Sequence, residues 1–186
     1  MAVSTPRAVP ISKPTSPGAL PVKREKVLVF GGNGNIGSEL VHQLIQQDKY
    51  DIAIVSRGNK YFDSDTRIMP FVEHFIYDRE QEDWSLEYCP DLMEYIGKYK
   101  FKFVFDFSAY KPEELKATLE VLDKKTDLYV YISSELIYEV CEFRSHMNGG
   151  KSREIDAVRP ETKSERQQLN DGDDYGNDKL LCEEVR

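Results

Sequence analysis

The stretch Lys26-Val-Leu-Val-Phe-Gly-Gly-Asn-Gly-Asn-Ile-Gly37 decides the fold of this chain. Its apolar run up to Phe30 has the length and continuity of a β-strand that is buried on both faces of a sheet. A turn rich in Gly and Asn follows, and residues 36–47 then place their apolar side chains on one helical stripe. The stretch therefore predicts a buried strand, a tight turn and an α-helix in direct succession.

The glycines of this turn have the spacing of a pyrophosphate-binding loop. Gly31 permits the tight turn, Gly34 lets the backbone approach a phosphate closely, and Gly37 lets the helix pack against the strand. The helix N-terminus adds unpaired N–H groups and the positive end of the helix dipole. Asn33, Asn35 and Ile36 are expected to line the approach to this site. The motif predicts a dinucleotide site, and the alternative is a glycine-rich turn that binds nothing.

Strands and helices continue to alternate along the rest of the chain. Further strands are predicted at residues 51–55, 74–77, 101–107 and 128–133, and further helices at 85–98 and 112–124. Residues 139–173 are rich in charge, Gly and Asn, and are predicted to form a long loop. Such alternation implies a parallel sheet with helices on both faces. The predicted fold class is therefore α/β, a Rossmann-like doubly wound parallel sheet of about five strands.

The end of the second strand bears on the choice of nicotinamide cofactor. NAD sites commonly place a carboxylate there for the ribose 2′-hydroxyl, whereas this chain has Arg57, whose guanidinium suits a 2′-phosphate. Arg57 therefore favours NADP. NAD is the alternative, because Asp63 or Asp65 could reach the site from the following loop. Asp78, after the third strand, is expected where an adenine amino group would be read, with a role in turn formation as the alternative.

Tyr175 and Lys179 are four residues apart near the end of the sequence, and this spacing places them on one face of a helix. An ammonium group beside a phenol favours the phenolate, which lets a tyrosine act as an acid or base near neutral pH. A chance pair on a solvated helix is the alternative. The spacing predicts a proton-transfer pair.

The overall composition is that of a globular protein. With 186 residues, 40% of them hydrophobic, the chain suits one domain with a core. Its longest apolar runs have strand length, far below the ~20 residues of a membrane-spanning helix. Three cysteines without a disulfide or metal-binding pattern predict a reduced compartment, so a cytoplasmic location is expected. The histidines are too scattered to predict a metal site.

Residues 1–24 differ from the rest of the chain in charge and composition. They contain four basic residues, five prolines and no acidic residue. This composition predicts a disordered tail, with a transit peptide as the alternative. Because the whole chain has a net charge of −8, residues 25–186 carry −12, and such an acidic body disfavours nucleic-acid binding. The predicted organisation is this tail followed by one Rossmann domain over residues 25–186.

Three motifs together resemble the extended short-chain dehydrogenase/reductase superfamily, in particular its nucleotide-sugar epimerase and dehydratase group. They are Gly31-x-x-Gly34-x-x-Gly37, Ile132-Ser-Ser-Glu-Leu-Ile-Tyr138 and Tyr175-x-x-x-Lys179. The resemblance implies that Ser134 hydrogen-bonds the substrate and that Tyr175 transfers the proton. It also implies that Lys179 stabilises the phenolate and holds the cofactor ribose, and that Ala109 packs near this ribose.

Some positions depart from the family pattern. Phe30 stands where the family usually has Thr, Asp106 where it commonly has His, and Glu139 where it usually has Gly. Family members also continue beyond the length of this chain to form a substrate lobe. A chain truncated at its C-terminus, weakly active or inactive in this form, is therefore expected.

The expected function is hydride transfer with NADP or NAD at a Ser-Tyr-Lys centre. The resemblance implies a small-molecule substrate of the nucleotide-sugar class. It is also compatible with a homodimer. Two alternatives belong to other functional classes. One is a non-catalytic module that senses the cofactor, and the other, disfavoured by the acidic body, is an RNA-binding relative.

Overall fold

The apolar run that ends at Phe30 forms the central strand of a five-stranded parallel sheet in the computed structural model. The strand order is β3-β2-β1-β4-β5. The direction in which strands are added reverses between β1 and β4, and doubly wound folds bind their ligands at such a point. The predicted α/β doubly wound sheet is therefore confirmed. The strands are β1 (Glu25–Phe30), β2 (Tyr50–Ser56), β3 (Val72–Ile76), β4 (Phe101–Asp106) and β5 (Thr126–Tyr131).

The structure describes residues 23–59, 61, 63–80, 86–142 and 151–185. These residues form two compact units. The first unit contains the described residues up to Ser108 together with Leu119–Tyr131, and the second contains Ala109–Thr118 and the described residues from Ile132 onward. The predicted tail lies outside the described residues except for Lys23 and Arg24. The single domain expected over residues 25–186 stays a prediction.

The helices begin and end close to where the sequence predicts them. Pro90 opens its helix at the first position, where its fixed φ angle is favourable. The helix predicted to reach Lys124 ends at Val121, because Lys124 adopts a left-handed φ of 56° in the turn that follows. The α-helices of the described residues are α1 (Asn35–Gln47), α2 (Ser64–Arg67), α3 (Pro90–Lys98), α4 (Pro112–Val121), α5 (Lys163–Asn170) and α6 (Asp174–Glu183). Short 3-10 segments cover Met69–Phe71, Leu86–Tyr88, Glu135–Val140 and Glu154–Asp156.

Side chains of β1 alternate between two apolar cores, one on each face of the sheet. One core contains Phe30 together with Leu92 of α3, and the other contains Val29 together with Val41 of α1. All four side chains are fully buried, and each contributes about 1.5–3 kcal/mol by leaving water. Burial on both faces explains why the strand is continuously apolar.

The prediction of a loop throughout residues 139–173 is wrong in part. Lys163–Asn170 form α5, and Glu154–Asp156 form a 3-10 turn. Because no residue of α5 is buried, its sequence has no apolar stripe that would reveal a helix. The helix is instead stabilised at its start, where Thr162 Oγ1 accepts a hydrogen bond from the backbone N–H of Glu165 at 3.2 Å.

Helix α6 packs against the 3-10 segment Glu135–Val140 within the second unit. Leu180 of α6 and Ile137 of the 3-10 segment share a small apolar core with Val140 and Cys141. This packing gives a ten-residue helix the tertiary support that so short a helix requires. Across the described ranges, the helices lack the length and apolar character needed to cross a membrane.

Candidate functional site

The glycine turn after β1 closes tightly in the first unit. Gly31 has a φ of 75°, in the left-handed region that glycine adopts without strain. Its N–H donates to the carbonyl of Val55 at 2.8 Å, and its own carbonyl accepts from the N–H of Gly34 at 2.9 Å. The turn therefore continues the sheet by one residue and then reverses into α1.

The other two motif glycines differ in how much space surrounds them. A Cβ atom at Gly37 would collide with the carbonyl oxygen of Gly31, so this glycine lets α1 approach the turn closely. A Cβ atom at Gly34 would meet only the Gly31 carbonyl oxygen, at 3.2 Å. Gly37 is therefore required by packing, whereas the absence of a side chain at Gly34 leaves space outside the turn.

The N-terminus of α1 is open to solvent. Gly34 is its N-cap and makes no side-chain capping hydrogen bond. Asn35 and Ile36 follow in the first turn and are both exposed, Ile36 at 67% of its surface. An uncapped helix start with a positive dipole end suits an anion, and an exposed isoleucine beside it suits an apolar ligand surface.

Asn33, which is expected to line the approach to the phosphates, lies buried within the turn. Its side chain is 1% exposed, and its Nδ2 donates a hydrogen bond to the backbone carbonyl of Asn59, beyond β2. Its Oδ1 atom is buried and has no hydrogen-bond partner within the part of the chain that the structure describes. Asn33 thus joins the glycine turn to the segment that follows β2.

Arg57 and Asp78 lie at the carboxyl ends of β2 and β3, as the sequence predicts, and both already have partners. The Arg57 guanidinium lies 3.1 Å from the Glu80 carboxylate, and both side chains are more than half exposed. Asp78 Oδ1 accepts a hydrogen bond from the N–H of Glu80 at 3.1 Å, which is the turn-forming role that the sequence left open. Roles for Arg57 and Asp78 in cofactor recognition stay predictions.

Lys179 is buried in the second unit, which is rare for a lysine side chain. It is 2% exposed, and its Nζ donates to the carbonyl oxygens of Ala109 at 2.8 Å and Ile132 at 3.0 Å. The same atom lies 5.9 Å from the ring centroid of Tyr175, which is 41% exposed. The structure therefore brings Ala109, Tyr175 and Lys179 together, with Tyr175 partly exposed and Lys179 buried beside it.

Tyr110 is a further aromatic neighbour of this ammonium, and sequence reasoning missed it. Its ring centroid is 4.9 Å from Lys179 Nζ and 6.0 Å from the Tyr175 ring centroid. The buried Glu114 carboxylate accepts the backbone N–H of Tyr110 at 2.8 Å and fixes its position. The only feature of the sequence that points to Tyr110 is its position directly after Ala109, which the family resemblance places near the cofactor ribose.

Ser134 caps the 3-10 segment Glu135–Val140. Its Oγ accepts the backbone N–H of Leu136 at 3.3 Å, and the residue is partly buried. The preceding Ser133 has a buried Oγ that makes no hydrogen bond to any residue the structure describes. Ser134 therefore has a structural partner in addition to its predicted role, and Ser133 is a second hydroxyl of this segment.

Gly176, inside the Tyr-Lys motif, allows α6 to pack closely. A Cβ atom at this position would collide with the carbonyl oxygen of Leu136 and lie 2.7 Å from Asp173 Oδ2. Asp173 is the N-cap of α6 and accepts the N–H of Gly176 at 2.9 Å. The start of the Tyr175 helix is therefore fixed by the residue that follows the tyrosine.

A buried ionic cluster lies at the carboxyl edge of the sheet in the first unit, and it explains two departures from the family pattern. Asp106 is fully buried and accepts hydrogen bonds from Arg79 at 2.8 and 2.9 Å and from the Tyr129 hydroxyl at 2.5 Å. The Arg79 guanidinium carbon lies 4.2 Å from the ring centroid of Phe30. Phe30 and Asp106 are register partners in β1 and β4, so the two departures occupy adjacent positions.

Comparisons with known proteins show a shared fold. No protein-family model matches the sequence, and no curated protein matches it at a significant level. Among solved structures, dTDP-glucose 4,6-dehydratase from Bacillus anthracis, in complex with NAD, is similar at 17% identity with a TM-score of 0.56. The match covers 87% of this chain and 49% of that one.

Two further structures give similar values. UDP-glucose 4-epimerase from Bifidobacterium longum, in complex with NAD+ and UDP, has a TM-score of 0.57 at 18% identity, covering 86% of this chain and 47% of that one. A short-chain dehydrogenase/reductase from Veillonella parvula, in complex with NADP, has a TM-score of 0.54 at 13% identity. The match covers 88% of this chain and 64% of that one. This chain therefore has the Rossmann-like fold of these enzymes and spans about half the length of the first two.

Proposed function

We propose that this chain binds a nicotinamide dinucleotide and belongs to the epimerase, dehydratase and reductase type. In this proposal Ser134, Tyr175 and Lys179 transfer the proton that accompanies hydride transfer. The observation that carries it is the buried Lys179 ammonium, which two main-chain carbonyls hold beside the Tyr175 ring. Burying a charge is costly, and charged groups in such environments concentrate at functional sites.

The glycine turn has the features that a dinucleotide pyrophosphate requires. Gly34 is partly buried and has no side chain to block an approaching group, and α1 begins there without a side-chain cap. The N–H groups of the first turn of α1 would donate to phosphate oxygens. Gly31 and Gly37 would keep the turn tight, and Asn35 and Ile36 would flank the bound phosphates.

The proposed proton transfer uses three side chains of the second unit. When bound, the nicotinamide supplies the hydride-transfer chemistry. The hydroxyl of Tyr175, a residue that is 41% exposed, would exchange a proton with the substrate oxygen, while Ser134 would hydrogen-bond the same oxygen. The Lys179 charge, shielded from bulk water, would stabilise the phenolate. Ala109 and Lys179 are also proposed as contacts of the cofactor ribose.

The proposed cofactor is NADP, with NAD as the alternative. Arg57 supports this preference because its exposed guanidinium can donate hydrogen bonds to a 2′-phosphate in place of the Glu80 carboxylate. Exposed ion pairs of this kind contribute about 1 kcal/mol or less, so the exchange costs little. Asp78 is proposed to contact the adenine from the end of β3.

The proposed substrate is a small molecule that carries a secondary alcohol or the corresponding carbonyl group. The solved dehydratase and epimerase that share the fold have nucleotide sugars in their names. This similarity favours a nucleotide sugar as the first class of compound to test.

The direct test combines titration of the chain with NADPH and NADH and a turnover screen with nucleotide sugars and simple ketones. We expect saturable binding of NADPH and dinucleotide-dependent turnover. Tyr175→Phe is expected to abolish turnover while retaining NADPH affinity, because it removes only the hydroxyl group that exchanges the proton. Lys179→Met is expected to weaken both. Turnover by Tyr175→Phe at the wild-type rate would contradict the assignment.

The same experiment separates the alternative functional class. Binding of NADPH without turnover of any tested compound would favour a non-catalytic module that senses the cofactor. A folded chain that binds neither dinucleotide would exclude both the enzyme and the sensor.

A further inference from the structure

The cluster of Arg79, Asp106 and Tyr129 has no role in the proton transfer proposed above. Arg79 is 6% exposed and Asp106 is fully buried. Taking such a pair out of water is costly, and apolar residues of similar volume in its place are often neutral or stabilising for a fold. Stability alone is therefore a weak reason for this chain to have a buried ionic cluster at this position.

The cluster joins four strands near the edge where a doubly wound fold binds its ligand. Asp106 ends β4, Tyr129 lies in β5, Arg79 follows β3, and the Arg79 guanidinium lies over Phe30 at the end of β1. Burial, together with the charge of Asp106, raises the pKa of the Tyr129 phenol. The hydroxyl therefore stays protonated and donates to Asp106 throughout the physiological pH range.

Asp106 also fixes the turn that follows β4. Its Oδ1 accepts the backbone N–H of Ser108 at 3.0 Å, and the N–H of Phe107 donates to the carbonyl of Phe30 at 3.0 Å. These two residues form the wall against which Gly31 packs, because a Cβ atom at Gly31 would lie 3.1 Å from Phe107 Cβ and 3.3 Å from Ser108 Cβ. The position of the glycine turn is thus set by a segment that Asp106 holds.

We propose that Arg79, Asp106 and Tyr129 are positioning residues that hold the Phe107–Ser108 segment against Gly31 and so preorganise the glycine turn for a dinucleotide. This inference rests on the proposed function, since the ligand is the dinucleotide proposed for the same turn. None of the three side chains needs to touch the ligand, because their effect reaches it through Ser108 and Gly31.

The test replaces the whole cluster by apolar residues of similar size, in the triple variant Arg79→Met, Asp106→Leu, Tyr129→Phe. We expect it to fold with a Tm near that of the wild type, because no unpaired charge is left buried. We expect its dissociation constant for NADPH to rise about tenfold, which corresponds to about 1.4 kcal/mol of lost preorganisation. A purely structural cluster would leave the affinity of the folded variant unchanged.

A matched control removes an ion pair from the opposite ends of the same two strands. Lys102 of β4 lies 3.5 Å from Asp127 of β5, far along the strands from Asp106. The double variant Lys102→Met, Asp127→Leu is expected to bind NADPH as tightly as the wild type. Equal affinities of the wild type, the control and the folded triple variant would overturn the proposal.

Hydrogen exchange distinguishes failure of this proposal from failure of the proposed function. The Gly34 N–H donates to Gly31 and has no contact with the cluster, so its exchange rate reports on the order of the turn. Faster exchange at Gly34 in the triple variant, in a chain that does not bind NADPH, would support positioning and contradict the proposed function. If the triple variant does not fold, the same hydrogen-exchange measurement is made on the single variant Tyr129→Phe. An exchange rate at Gly34 equal to that of the wild type would then overturn the proposal.

Discussion

The Arg57–Glu80 pair makes cofactor preference testable at two side chains. Replacing Glu80 by Gln frees the Arg57 guanidinium, which lies 3.1 Å from the Glu80 carboxylate, for a 2′-phosphate. Because an exposed pair contributes about 0.2–1 kcal/mol, we expect the preference for NADPH over NADH to rise by up to about fivefold. Paired fluorescence titrations of wild type and Glu80→Gln measure this change.

A control for Glu80→Gln removes the same charge elsewhere. Glu120, an exposed residue of α4, is replaced by Gln, and the cofactor preference is expected to stay at the wild-type value. An increase in NADPH preference of the same size in both variants would show that net charge, and not Arg57, is responsible.

Tyr129 gives the stability of the chain a pH dependence in alkali. Burial and the Asp106 charge raise the pKa of the Tyr129 phenol, so the folded chain keeps a proton that the unfolded chain loses near pH 10. The folded state then binds more protons than the unfolded state. Its free energy of unfolding is therefore expected to fall by about 1.4 kcal/mol per pH unit above pH 10, whereas below pH 10 the contribution is fully present.

The variant Tyr129→Phe tests whether the Tyr129 phenol makes the free energy of unfolding fall above pH 10. The variant loses a hydrogen bond to a buried carboxylate, and we expect it to be about 1.5–3 kcal/mol less stable than the wild type at pH 7. The difference should shrink above pH 10, because only the wild type loses stability through this phenol. Urea unfolding between pH 7 and 11, with the exposed Tyr61→Phe as control, measures the difference. A gap that stays constant with pH would contradict the account.

The Tyr-Lys helix and α3 provide a matched pair of glycine variants. Gly176→Ala places a methyl group against the carbonyl oxygen of Leu136, so we expect a loss of about 1–3 kcal/mol from overpacking. Gly97→Ala, in α3, meets nothing within 4 Å and is expected to stabilise the chain by about 0.5–1 kcal/mol through its higher helix propensity. Thermal unfolding of both variants checks the two directions, and stabilisation by Gly176→Ala would show that α6 does not pack as described.

Elements that bury an apolar face could be predicted from the sequence, whereas an element without one could not. The strand that ends at Phe30 and the helix α1 follow directly from apolar patterning, because their packing selects those side chains. Helix α5 buries no residue, so its only sequence signal is the Thr162 cap. The start of β5 was predicted two residues late because Thr126, which pairs with Phe101, is polar.

The candidate site was predictable where a short motif carries it and missed where distant residues meet. Tyr175 and Lys179 are adjacent on one helix, so spacing alone selects them. Tyr110 reaches the same ammonium from a position far away in sequence, and no local pattern marks it. Asp106 and Arg79 are likewise brought together only by the strand order of the sheet.

For the chain as a whole, the sheet order β3-β2-β1-β4-β5 places the glycine turn at the point where the order reverses. The overall fold is shared with the solved dehydratase and epimerase, of which this chain spans about half. The topology supports a ligand at the carboxyl ends of β1 and β4. It does not select the substrate, which depends on the chemistry of the residues around Tyr175.

Fluorescence titration of the chain with NADPH, alongside Gly34→Ala, tests the central claim most directly. A Cβ atom at Gly34 meets only the Gly31 carbonyl oxygen, at a tight 3.2 Å, and the backbone there is extended, so the variant is expected to fold with a Tm only a few degrees below that of the wild type. We predict saturable binding by the wild type with a dissociation constant of about 1–100 µM, and at least about tenfold weaker binding by Gly34→Ala. A folded wild-type chain that does not bind NADPH, or a Gly34→Ala chain that binds it equally well, would contradict the account.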